Sequence, residues 1–173
     1  MSALIEVQVD SIRVHMPSGQ HVVILKEREA ARYLPIWIGV FEASAIARRI
    51  TGVTPERPMS HDLMVSILNQ LKVSLRRIVV TGLSSEVYYA HMHFVTGESE
   101  LDIDARPSDA IAIAVRMDAP IFVSAEVLDQ AGVLPDQESE QSADEEDRLS
   151  IFRELVNNLD LPDLPDEPGR SSS

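Results

Sequence analysis

The chain has 173 residues, with 28 acidic against 15 basic, a formal net charge of −13, 45% hydrophobic residues and no cysteine. At this length a single core buries ~70% of the surface that the unfolded chain exposes, and the missing cysteines exclude a disulfide framework, a thiolate metal site and cysteine nucleophile chemistry. No apolar run approaches the ~20 residues of a membrane helix, the opening MSALIEVQVD carries no basic-then-apolar leader, and the acidity argues against a general nucleic-acid coat, so the expectation is a cytoplasmic protein with no membrane partner.

The charge is unevenly spread. Up to Gln130 there are 16 acids and 12 bases; from Ala131 onward there are 12 acids and 3 bases. Most of the acidity therefore belongs to the C-terminal segment and says little about what the body binds.

Alternation from Leu4 through Val14 predicts a first strand, Pro17-Ser18-Gly19-Gln20 a turn, and His21–Leu25 a second strand closing a hairpin. Leu34–Val40 predicts a third strand, which Pro35 confines to an edge or a strand start. Phe41–Thr51 reads as a helix closed by Gly52, with Ala43, Ile46, Ala47 and Ile50 on one side. Ser60–Leu71 reads as a second helix with Ser60 as N-cap and Leu63, Met64, Ile67, Leu68 and Leu71 as its buried stripe.

Leu75–Thr81, Val87–Val95 and Glu100–Asp104 predict an antiparallel meander. Pro107–Met117 predicts a third helix with proline at its first position, apolar all round and so buried. Pro120–Val123 is a short strand and Ala125–Ala131 a short helix closed by Gly132. Intermixed strands and helices give an α+β domain over residues 1–132, with a mixed, largely antiparallel sheet. An acidic linker at 133–147 is expected to lead to an amphipathic helix at 148–160, where Leu149, Phe152, Leu155, Val156 and Leu159 share a face, and to a disordered tail at 161–173.

Charges crowd two predicted helix starts, Arg57 to Asp62 and Asp102 to Asp109. In the second, Asp104 ends a strand, Arg106 fills the turn and Asp109 lies in the first turn of the helix. Two such carboxylates can converge on a hard cation, Mg2+ or Mn2+, with arginines binding phosphates. The same residues also fit a structural reading, in which Asp109 and Ser108 cap the helix and Arg106 pairs with Asp104 or Asp109. His61 and Asp62 point about 100° apart on a helix, so they do not pair directly. His61 is then either an acid/base group or a rim residue of the apolar stripe. Glu42 and Arg49, seven residues apart, project from nearly the same side of the first helix, and Arg48 adds to the positive charge there. His91 and His93 share one strand face without an evident third ligand, which favours an exposed or interfacial face over a metal site.

Leu34-Pro35-Ile36-Trp37-Ile38-Gly39 with Glu42-Ala43, Arg57-Pro58 with His61-Asp62-Leu63, and Asp104-Ala105-Arg106-Pro107-Ser108-Asp109-Ala110-Ile111-Ala112 resemble the bifunctional nuclease family of bacteria and plants. The resemblance runs from about residue 4 to residue 132. It implies a compact, self-associating α+β domain that cleaves RNA or DNA. In that reading Asp104, Asp109, His61 and Glu42 are catalytic, and Asp104 and Asp109 hold Mg2+ or Mn2+. Arg57, Arg106, Ser108 and Arg49 then bind substrate, and cleavage is EDTA-sensitive. Ser60 stands where the family usually has threonine and Lys72 where glycine is common, and His91 and His93 lie outside the family pattern. The alternative reading is a non-catalytic regulatory, ligand-binding or assembly domain whose polar cluster is an ion-pair network.

Overall fold

A computed structural model describes residues 3–135. Seven strands and four helices run in the order β1 (Leu4–His15), β2 (Gln20–Glu27), β3 (Tyr33–Ile38), α1 (Val40–Ile50), α2 (Ser60–Gln70), β4 (Ser74–Ser84), β5 (Val87–Thr96), β6 (Ser99–Ala105), α3 (Pro107–Met117), β7 (Ile121–Ser124) and α4 (Ala125–Ala131). The strands form one sheet, β3-β2-β1-β7-β4-β5-β6. Every pairing is antiparallel except β4 with β7, so the chain is α+β with a mixed, largely antiparallel sheet. The expected linker beyond Pro135, the helix at 148–160 and the tail at 161–173 lie outside the described residues.

Alternation places one set of side chains from every strand on the same face. Val23, Leu25, Leu34, Ile36, Ile78, Val80, Ala90 and Val123 are all but sealed from solvent there, against Ile46 of α1, Ile111 of α3 and Leu128 of α4. Pro35 lies in β3, the end strand of the sheet, whose outer edge meets only Val133 at Tyr33 among the described residues, so the missing N–H costs no ladder bond. Ala110 to Ala114 are buried, so α3 is the central helix of the core.

The second helix departs from expectation in two ways. Met59, not Ser60, is the N-cap, and Asp62 at N3 accepts its N–H at 2.9 Å. His61 is the one buried residue of α2, while Leu63, Met64, Ile67 and, at its C-cap, Leu71 stand about half exposed or more. The helix docks on α3 through the side carrying His61, Val65 and Leu68, spaced i, i+4, i+7. A helical wheel shows which side is apolar but not whether a neighbour covers it.

Helices α1 and α2 end alike. The Val53 N–H reaches the Arg48 carbonyl and the Val73 N–H the Leu68 carbonyl, both at 2.9 Å, closing a Schellman motif in each. The left-handed residue is Gly52 (φ +74°) in α1 but Lys72 (φ +57°) in α2. The position where the resembling family favours glycine is thus one that needs positive φ, and Lys72 holds it at some conformational cost.

Candidate functional site

Helices α1, α2 and α3 each begin with an acid at the third position, Glu42, Asp62 and Asp109 respectively, where a carboxylate meets free N–H groups and the positive end of the helix dipole. Capping accounts for the acids being there. It does not account for what they hold.

Arg106, the N-cap of α3, spans two of them. Its Nη2 donates to Glu42 Oε1 at 2.7 Å and its Nε to Asp109 Oδ2 at 2.7 Å. The other Asp109 oxygen, Oδ1, lies 3.0 Å from His61 Nε2. An ionised carboxylate only accepts, so Nε2 carries the proton of this contact. The arginine is the open end of this chain of contacts, with 66% of its side chain exposed, whereas Glu42 and His61 keep 15% and 11%. Gly39, the N-cap of α1, keeps the space clear, because a Cβ there would collide with the Glu42 carboxylate.

Burial pushes the Asp109 carboxyl up, but hydrogen bonds from Arg106 and His61 together outweigh it and hold the group below the usual carboxylate range. Hydrogen bonds to Asp109 and Glu42 raise the Arg106 guanidinium further above its already high value. One carboxylate therefore carries, on its two oxygens, an imidazole and a guanidinium.

A second pair lies alongside. Arg116, near the end of α3, donates through Nε to Asp62 Oδ1 at 2.7 Å, through Nη1 to the Ala112 carbonyl and through Nη2 to the Ala45 carbonyl. Its side chain is only 8% exposed. The Arg116 hydrogen bond, opposed by burial and helped by the Met59 N–H, holds Asp62 below the usual carboxylate range. Sequence reasoning missed Arg116. Its signal was its position seven residues after Asp109 on an otherwise apolar helix, which turns both residues to one side.

Glu42, His61, Arg106 and Asp109 are thus brought together, and His61 pairs with Asp109 rather than with its neighbour Asp62. The other expected residues stand apart. Asp104 faces His91 across β5 and β6, on the side of the sheet opposite Ala105 and the core. Ser108 is buried in the first turn of α3. Arg57 is exposed in the segment before α2. Arg49 lies at the far end of α1, donating through Nε to the Val115 carbonyl at 3.0 Å.

Of the expected cation pair, Asp104 lies on the outer face of β6 and Asp109 at the start of α3, with its two oxygens on His61 and Arg106. Among the described residues no three His, Asp or Glu side chains are gathered closely enough to hold a metal ion. This includes the outer face of β5, where His91 contacts Thr81 Oγ1 at 3.3 Å and His93 pairs with Asp102. No helix among the described residues is long and apolar enough to cross a membrane.

Comparison with known proteins agrees with the motifs. The family model described as Bifunctional nuclease domain matches residues 23–136. An uncharacterised protein of Mycobacterium tuberculosis is 41% identical over 162 residues, covering 92% of this chain and 97% of the relative. Bifunctional nuclease 1 of Oryza sativa is 22% identical over 161 residues, 91% of this chain but 47% of the relative. Bifunctional nuclease 2 of Arabidopsis thaliana is 29% identical over 106 residues, 60% of this chain and 32% of the relative. The matched span contains β3 to α4 entire, and with them every residue of the Glu42–Arg106–Asp109–His61 cluster. The chain belongs to the bifunctional nuclease domain family.

Proposed function

We propose that the protein hydrolyses phosphodiester bonds of RNA or DNA at the cluster formed by Glu42, His61, Arg106 and Asp109. The observation that carries this reading is the double use of Asp109, which orients an imidazole with one oxygen and a solvent-facing guanidinium with the other. Arg106 binds a phosphate oxygen, for which a guanidinium has the right fork geometry. Glu42 and Asp109 hold that fork in place. His61 Nδ1 takes the proton of the attacking water as its oxygen bonds to phosphorus, and the P–O bond to the ester oxygen breaks, that oxygen leaving with the bonding pair and taking a proton from solvent. No step is assigned to a metal ion, because the carboxylates that would bind one are engaged or on the other side of the sheet.

The names of the plant relatives support a nucleic-acid substrate. So does the partition of charge, since the excess of acid is concentrated beyond Ala131 and outside this cluster.

The test is cleavage of single-stranded RNA and DNA by purified protein, His61→Ala and Arg106→Ala. Each variant should lose roughly 10²-fold or more in rate while remaining folded at the assay temperature, and EDTA should leave the wild-type rate unchanged. Full activity in His61→Ala would refute the assignment, and an EDTA-sensitive rate would refute the metal-free mechanism. The ion pairs also favour a second reading, a non-catalytic domain knit by this network. In that case the variants melt early and wild type cleaves nothing.

We further propose that a second copy of the chain covers the open face of α2. Asp62 is the only charged residue of that helix and is bound to Arg116. Two copies can therefore meet through Leu63, Met64, Ile67 and Leu71 without like-charge repulsion, as an isologous contact requires.

A further inference from the structure

A cavity of about 410 Å³ opens between the C-terminal half of α1, the segment 53–59 and the first half of α2; Arg48, Arg49, Thr54, Glu56, Ser66 and Arg116 contribute to its wall. Its size suits a small polar ligand or part of a larger one. Arg116 is spent, with Asp62 and two carbonyls satisfying it, so these two charges cancel. Arg48 and Arg49 remain, against Glu56.

Arg48 has no structural task large enough to explain it, and Arg49 spends only its Nε, on the Val115 carbonyl. Basic residues in the last turn of a helix commonly bond its free carbonyls, but in α1 backbone N–H groups already do so. The N–H groups of Thr51, Gly52 and Val53 take the carbonyls of Ala47, Arg49 and Arg48. Arg48 makes one long contact, Nε to Ser44 Oγ at 3.4 Å, and among the described residues its terminal nitrogens have no partner. The terminal nitrogen of Arg49 is 3.9 Å from Asp118, which is itself 88% exposed. Two guanidinium groups thus line a concave wall with donors to spare.

We propose that this cavity binds a phosphate group of a nucleic-acid strand, as a second phosphate subsite beside the cluster at the other end of α1. The inference rests on the nucleic-acid reading above for the identity of the polymer, though not for the chemistry of the cavity. Arg48 and Arg49 follow Glu42 by six and seven residues, which is about 9–10 Å along the helix. A strand with one phosphate on Arg106 therefore reaches Arg48 within a few nucleotides. Thr54 offers a hydroxyl group for the same phosphate or its sugar, while Ser66 donates its own to the Asp62 carbonyl.

The experiment measures fluorescence anisotropy of a labelled single-stranded oligonucleotide with wild type and Arg48→Ala, at several salt concentrations. A parallel calorimetric titration uses adenosine monophosphate and inorganic phosphate. Arg48→Ala should weaken oligonucleotide binding several-fold at low salt and flatten the salt dependence by about one ion, with an unchanged melting transition. Equal affinity and salt slope in Arg48→Ala and wild type would overturn the proposal. If wild type ignores the oligonucleotide but binds the monophosphate through Arg48, the cavity stands as a phosphate site and the nuclease reading falls. If wild type binds no phosphate in any form, the cavity assignment falls with it.

Discussion

Arg116 offers its guanidinium to one carboxylate and two carbonyls inside a nearly closed environment. Removing it strands Asp62 and both carbonyls, and breaking a buried pair of this kind costs about 3–5 kcal/mol, here toward the lower end because Asp62 keeps some solvent. Arg116→Ala should therefore show a melting temperature several degrees below wild type. Acid tests the same pair from the other side. Asp62 and Asp109 both titrate lower in the folded protein than in the unfolded chain, so the folded state binds fewer protons. Their contribution is whole above the ordinary carboxylate pKa of ~4 and drains away as pH falls below it. Melting temperature followed from neutral pH downward should fall steeply below about pH 4 in wild type and less steeply in Asp62→Asn. An identical acid limb in the two would show that the pair contributes nothing.

The members of the cluster, and the pairing of Arg106 with Asp109 three residues on as one of two options, were legible in the sequence, but the long-range partnerships were not. Glu42, His61, Arg106 and Asp109 draw notice as charged groups at helix starts, which is local information. That His61 meets Asp109 depends on a contact 48 residues apart, and Arg106 with Glu42 on one 64 residues apart. No spacing rule reaches that far. Asp104 shows the opposite failure. It stands two residues from Arg106, yet the strand ends between them at Ala105, so the alternation that sets Asp104 on the outer face does not extend to Arg106, the N-cap of α3.

At the scale of the element, period and punctuation located every strand and helix of the described chain, because alternation, proline and glycine act within a few residues. The direction in which a helix faces is a tertiary fact. For α2 the apolar stripe is real, but the body takes the neighbouring side, with His61, Val65 and Leu68. This division makes the self-association proposal testable without disturbing the fold. Ile67→Asp places a charge on the half-exposed stripe, and should shift sedimentation to a smaller species while leaving the monomer's near-ultraviolet spectrum intact. Leu68→Asp, on the docked side, should instead lower the melting temperature. If Ile67→Asp sediments as wild type does, the stripe is not where copies meet.

At the scale of the molecule, the sheet consists of two three-strand groups, β3-β2-β1 and β4-β5-β6, each built from neighbours in sequence. What joins them is β7, four residues long, paired antiparallel to β1 and parallel to β4. The sequence showed β7 as a short apolar strand but not as the central one, since parallel and long-range pairings leave no local mark. Its position governs the order of folding. During synthesis both groups emerge before the strand that unites them, so the central ladder closes only when residues from opposite ends of the described chain meet. That closure carries the largest loop entropy in the fold. It should set the refolding rate, so Val123→Ala, at a fully buried position, should slow refolding more than it speeds unfolding in stopped-flow experiments. A loss confined to the unfolding limb would place β7 after the barrier. If β7 closes the barrier, a nascent chain halted before Ile121 carries two sheet edges with apolar faces and nothing between them, and its exposure to aggregation ends with four residues.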